Sequence, residues 1–112
     1  MIYADGSGWN GERSAWGLVL NDGRKAIFET DKKRTNNETE YLAVIAACDY
    51  VIRGEEILTD SRLVYGQINE KWKINHAHLH ELYTVLKKRL SETGASVRWI
   101  PRKQNKAGKL FE

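Results

Sequence analysis

The chain has 112 residues, which is room for one domain with one hydrophobic core. Hydrophobic residues make up 41% of it and charged residues 29%, a balance that excludes a disordered low-complexity chain, and no apolar run approaches the ~18 residues of a membrane helix. The net charge of +3 is unevenly placed: residues 1–70 hold 8 Lys/Arg against 12 Asp/Glu, whereas residues 71–112 hold 10 against 3, a split that suits cation binding in one part and polyanion binding in another but that solvated helix faces also produce.

Ile2 to Asp5 reads as a short buried strand that starts directly after Met1, so no secretory signal is expected. Ala15 to Leu20 alternates, with Trp16, Leu18 and Leu20 on one face. Asn21-Asp22-Gly23 is a hairpin signal because Asp-Gly tolerates positive φ, and Arg24 to Glu29 returns as the partner strand. The period then changes. Tyr41, Ile45, Cys48 and Ile52 fall at i, i+4, i+7 and i+11, one face of a helix capped by Asn36 or Asn37 and ended by Gly54. Cys48, the single cysteine, lies on that face as a small core residue and fits a reducing cytoplasm.

Ile57-Leu58-Thr59 is a short strand, and Asp60 or Ser61 caps a helix running to about Asn69. A third helix carries Leu79, Leu82, Leu86 and Leu90 and closes at Gly94. Ser96 to Ile100 is the last strand, stopped by Pro101, and Ala107 to Glu112 makes one or two helical turns after a polar loop. This order predicts one α/β domain over residues 1–112. Its five-stranded mixed sheet has an antiparallel meander followed by parallel strands, with helices on both faces.

Three acids stand out by position. Asp5 falls in or at the end of the first strand, where a lone carboxylate is expensive to bury, and Gly6 and Ser7 after it leave room for a phosphate. Glu40 comes one turn into the first helix, and Asp60 ends the next parallel strand, where ligands of open α/β sheets gather. Taken singly, Asp60 reads as a helix cap and Glu40 as an acid favoured by the helix dipole. Together, three carboxylates repel one another unless cations lie between them. Hard oxygen donors select two Mg²⁺ ions, with Mn²⁺ as the alternative.

The runs Tyr3-Ala4-Asp5-Gly6-Ser7, Thr35-Asn36-Asn37-(two residues)-Glu40 followed by Leu42-Ala43, and Leu58-Thr59-Asp60-Ser61 resemble the signatures of type 1 ribonuclease H, and the resemblance spans nearly the whole chain. It implies an RNase H-like fold and Mg²⁺-dependent endonucleolytic hydrolysis of the RNA strand of an RNA/DNA hybrid. It further implies a two-metal mechanism that leaves 5′-phosphate and 3′-hydroxyl ends. By position it makes Asp5, Glu40 and Asp60 the metal ligands, and sets Gly6, Ser7, Asn36, Asn37, Arg62 and Gln67 against the hybrid. Trp72 with Lys73 resembles a DNA-strand contact, or else closes the edge of the core, and Arg102 or Lys103 would steady a phosphate.

The chain also departs from the family pattern. Where the family carries Asn-x-x-Ala-Asp, this sequence has Asn105-Lys106-Ala107-Gly108-Lys109, so Glu112 is the only nearby substitute for a fourth catalytic acid and is otherwise a chain-end residue. The loop after the last strand lacks histidine. His76, His78 and His80 cluster before the third helix, as cap and surface residues. No basic protrusion separates the middle helices, which resembles the compact members. Expected partners are the hybrid alone, with no membrane, for a monomer in the cytoplasm. A rival reading is a non-catalytic or weakly active nucleic-acid-binding domain of the same fold.

Overall fold

The computed structural model describes residues 1–112. Its strands are β1 (Ile2–Trp9), β2 (Ser14–Val19), β3 (Lys25–Thr30), β4 (Glu56–Thr59) and β5 (Ser96–Trp99). Its α-helices are α1 (Asn36–Ala47), α2 (Arg62–Asn69) and α3 (Ala77–Thr93), and 3-10 turns follow at Arg102–Gln104 and Lys106–Phe111. The strands form one sheet in the order β3-β2-β1-β4-β5. β1–β2 and β2–β3 are antiparallel, while β1–β4 and β4–β5 are parallel, as the element order predicts.

Local chemistry accounts for the turns. Asp22 Oδ1 accepts from the Arg24 N–H at 3.0 Å while Gly23 takes φ 87°, and this closes the β2–β3 hairpin. β1 runs four residues past Asp5 because a bulge between Gly6 and Gly8 absorbs a register shift, with Gly8 at φ 67°.

Alternation along β1 divides the sheet. Ile2 and Ala4 face α1 and join Leu18, Tyr41, Val44, Ile57, Val64, Leu79, Leu86 and Val97 in one core, so all three α-helices share a face. The opposite face, bearing Asp5 and its cross-strand partner Gly17, is covered by the 3-10 turn Lys106–Phe111; a Cβ at Gly17 would stand 2.7 Å from Leu110. The helix on the second face is therefore a short 3-10 segment.

Both boundaries of α1 differ from expectation. The α1 N-cap is Thr35, not Asn36 or Asn37: Thr35 Oγ1 accepts from Glu38 N at 3.1 Å and Glu38 Oε1 accepts from Thr35 N at 3.0 Å, a reciprocal capping box. At its other end α1 stops at Ala47, because the N–H groups of Cys48, Asp49 and Tyr50 each bond three residues back and tighten the chain into a turn. Ile52 is thus outside the helix and 70% exposed, not on its apolar face. Ser61 caps α2, accepting from Val64 N at 3.1 Å, which leaves the Asp60 carboxylate uncommitted. No helix is long and apolar enough to cross a membrane.

Candidate metal centre and substrate cleft

The register of the parallel pair β1–β4 matches Ala4 to Thr59, so Asp60, the next residue, arrives beside Asp5. Glu40 reaches the same place because α1 lies unusually close to β1. An added Cβ at Gly6 would be 2.4 Å from the Thr39 carbonyl carbon and 2.6 Å from Glu40 N. The Gly6 N–H donates to Glu40 Oε1 at 2.5 Å and the Gly8 N–H to Thr39 Oγ1 at 3.0 Å, which fixes the helix on the bulged strand. Asp5, Glu40 and Asp60 thereby bring carboxylate oxygens within 4.8 Å of one another.

Burial sets the electrostatics. It pushes Asp5 above the usual carboxylate range, with Asp60 adding to the shift and a hydrogen bond to Glu40 opposing it. Burial and the neighbouring Asp5 charge push Glu40 up to about 9, so without a cation Glu40 keeps its proton at neutral pH. Asp5 Oδ1 and Asp60 Oδ2 are buried and have no hydrogen-bond donor. The nearest cation to Asp60 is Arg102, whose Nε lies 3.7 Å from that Oδ2, beyond hydrogen-bond range. Orphaned anionic oxygens of this kind need a partner, and the all-oxygen donor set fits a hard divalent cation.

A pH effect follows from Glu40. Its folded value of about 9 lies above its ordinary 4.5, so its contribution to stability is complete below about 4.5 and is lost as pH rises towards 9. In EDTA, thermal melts should show Tm falling from neutral pH to about pH 9, and Mg²⁺ should reduce that fall by replacing the proton. A flat Tm in EDTA across this window would contradict the buried acid pair.

The carboxylates lie in a cleft of about 1130 Å³. Gly6 and the exposed Ser7 border the acids, Asn36 and Asn37 stand exposed on the α1 side, and Arg102, Lys103 and Lys109 line the C-terminal side. The Thr35 cap leaves both asparagine amides free of that duty. Arg62 also lines the cleft.

Gln67, Trp72 and Lys73 do not line it. Gln67 is buried, accepting from the Tyr41 hydroxyl and donating from Nε2 to Lys73 O at 3.4 Å, so it ties α2 to the core and does not face a hybrid. The Trp72 ring rests on Gly66, where a Cβ would be 2.2 Å from it, and this packing closes the edge of α2. Lys73 is exposed beyond it. His76 and His78 stack on the surface with ring centres 5.4 Å apart, away from the acids.

Glu112 lines the cleft but is exposed and stands outside the three-carboxylate cluster. The residue that faces the cluster from this segment is Gly108, whose added Cβ would lie 3.7 Å from Asp5 Oδ2, an ordinary contact distance. Gly108→Asp should tighten divalent-ion binding roughly 10-fold by calorimetry and lower Tm in EDTA. Unchanged affinity would place position 108 outside the metal centre.

Two cleft residues were not singled out from sequence. Asn105 is buried, donates from Nδ2 to Ala4 O at 2.9 Å and accepts from Ala107 N at 3.0 Å, so it anchors the C-terminal segment beside Asp5. Trp99 pairs with Thr59, the residue before Asp60, and only the order of the folded sheet brings it there.

The RNase H family model matches residues 1–105, and the chain belongs to the RNase H family. A bifunctional protein of Mycobacterium tuberculosis is 30% identical over 102 residues, covering 87% of this chain and 26% of that protein. Its N-terminal RNase H domain, solved as a fusion with maltose-binding protein, superposes with a TM-score of 0.77 over 93% of this chain and 83% of that one, at 30% identity. A ribonuclease H of Janthinobacterium sp. (strain Marseille) is 39% identical over 74 residues, 62% of this chain and 51% of that protein. The chain thus spans about a quarter and about half of the lengths of these two relatives. LC11-RNase H1, solved in complex with an RNA/DNA hybrid, shares the fold at a TM-score of 0.81 and 24% identity, over 97% of this chain and 91% of that one.

Proposed function

We propose that this protein is a divalent-metal-dependent endonuclease that hydrolyses the RNA strand of RNA/DNA hybrids. One observation carries the proposal: acids from three distant stretches meet within 4.8 Å, and two of their buried oxygens lack donors. Asp5, Glu40 and Asp60 would hold Mg²⁺ or Mn²⁺, two ions in the family's arrangement, and such ions supply Lewis-acid polarisation of a phosphate and a water of lowered pKa.

The rest falls to the chain's own groups. Asn36 and Asn37 present amides that donate and accept together, which suits the ribose 2′-hydroxyl that separates RNA from DNA. Gly6 and Ser7 add no bulk beside the acids, so a phosphate can approach them. Arg102, Lys103 and Lys109 offset phosphate charge from the facing wall. The Gly6 N–H holds one oxygen of Glu40 and so fixes how that carboxyl faces Asp5. Family membership supports this reading, as does the hybrid held by LC11-RNase H1 on the same fold. The proposal includes 5′-phosphate and 3′-hydroxyl products and a monomer working in the cytoplasm.

The test is incubation with labelled RNA/DNA hybrid, duplex RNA, duplex DNA and single strands, with Mg²⁺ or Mn²⁺. Cleavage of the hybrid's RNA strand alone, stopped by EDTA, is expected; cleavage of duplex DNA would overturn the substrate. A second reading, a hybrid-binding domain without catalysis, is favoured by Gly108 facing Asp5 with no carboxylate and by Lys109 in the cleft. Hybrid binding without cleavage in either metal would decide for it.

A further inference from the structure

At the α2 corner of the cleft lies an arrangement that the three acids do not explain. The Arg62 guanidinium carbon sits 4.1 Å from the centre of the Trp99 ring. The Trp99 indole N–H donates to the backbone carbonyl of Asp60 at 3.1 Å. Both side chains line the main cleft and also a neighbouring cavity of about 60 Å³ that includes Trp72. Thr59 and Trp99 form the last parallel pair of β4 and β5, so the ring extends over the turn that carries Asp60.

Stacking occupies only the π face of a guanidinium. Its five N–H donors lie in the plane and point outwards from the edge. Arg62 is exposed and has no carboxylate within 4 Å, so those donors are uncommitted. An arginine held over an indole face has already lost much of the side-chain freedom that gripping a phosphate would cost. A free edge of this geometry matches a phosphate in bidentate fashion.

We propose that Trp99 is a positioning residue with two roles: its N–H fixes the main chain of Asp60, and its ring holds Arg62 as a fork for a backbone phosphate of the polynucleotide in the cleft. This rests on the reading of the cleft as a nucleic-acid site. Trp99 acts through Asp60 on the chemical step and through Arg62 on binding, so the two effects separate by substitution. Trp99→Phe keeps a ring face and removes the N–H, whereas Trp99→Leu removes both.

The test uses the full chain and an RNA/DNA hybrid. Affinity is measured by anisotropy in Ca²⁺ over a series of salt concentrations, and kcat is measured separately in Mg²⁺. Arg62→Ala should weaken binding about 10-fold and lower the slope of log affinity against log salt by about 1. Trp99→Phe should retain the wild-type salt slope and lower kcat. Trp99→Leu should show both losses, and adding Arg62→Ala to it should weaken binding by less than about 2-fold more, because Arg62 would already be released. Wild-type affinity and salt slope in Arg62→Ala would overturn the proposal. So would full multiplication of the two binding losses in the double variant, or unchanged kcat in Trp99→Phe. If Trp99→Leu melts early, Arg62→Ala, an exposed change, still decides the phosphate role. A wild type that binds hybrid without cutting it refutes the nuclease reading, and the Arg62 slope is still read from binding.

Discussion

Asp5→Asn will abolish hybrid cleavage, with kcat falling on the order of a thousandfold or more, as for groups that act as one catalytic unit. The same change will raise the Tm of the metal-free protein. Asn keeps the shape of Asp, so the packing of β1 between β2 and β4 is undisturbed. It removes a charge whose burial is unfavourable, as the raised values of Asp5 and its neighbour Glu40 show. It also removes one orphaned oxygen, Asp5 Oδ1, and supplies N–H donors near the other, Asp60 Oδ2. Activity and metal-free stability therefore move in opposite directions, which generic disruption of the fold would not produce. Single-turnover cleavage and melts in EDTA measure the two effects, and an active Asp5→Asn enzyme would remove Asp5 from the centre.

Gly6→Ala will lower both stability and activity. Its methyl group would fall 2.4 Å from the Thr39 carbonyl carbon, 2.5 Å from Thr39 Oγ1 and 2.6 Å from Glu40 N. Two of these are backbone atoms of α1, so no rotamer change relieves the clash and the helix must move off the strand. Overpacking of this severity costs about 3 kcal/mol or more, a Tm loss of roughly 13 °C or more for a domain of this size. The movement also breaks the Gly6–Glu40 hydrogen bond and shifts Glu40 from Asp5, which should cost about 100-fold in kcat through misplacement alone. A Gly6→Ala protein with wild-type Tm and full activity would show that the close approach of α1 to β1 is not what positions Glu40.

What the sequence disclosed depended on how local each cause was. The Asp22-Gly23 turn and the Gly94 helix end are decided by neighbouring residues and were readable, while the α2 cap was narrowed to Asp60 or Ser61 and is Ser61. The three acids stood out through the short runs around them, although Asp5 lies inside β1 and Glu40 one turn into α1, and only Asp60 falls at the end of a strand. Ile52 misled because spacing counts residues and does not register the three-residue hydrogen bonds that end α1 at Cys48. The capping box of Thr35 and Glu38 was present in the residues but was eclipsed by two asparagines, themselves good caps. Gln67 looked free for substrate because its partner Tyr41 is 26 residues away, and Asn105 looked like loop because its partner Ala4 is 101 residues away. The stack of Arg62 on Trp99 joins two elements whose meeting depends on the order of the sheet.

The most direct measurement is anomalous diffraction from crystals of the protein soaked in Mn²⁺. An anomalous peak bounded by the carboxylates of Asp5, Glu40 and Asp60 is the expected result. A map with no peak there, or with the three side chains turned to separate surfaces, would contradict the metal centre.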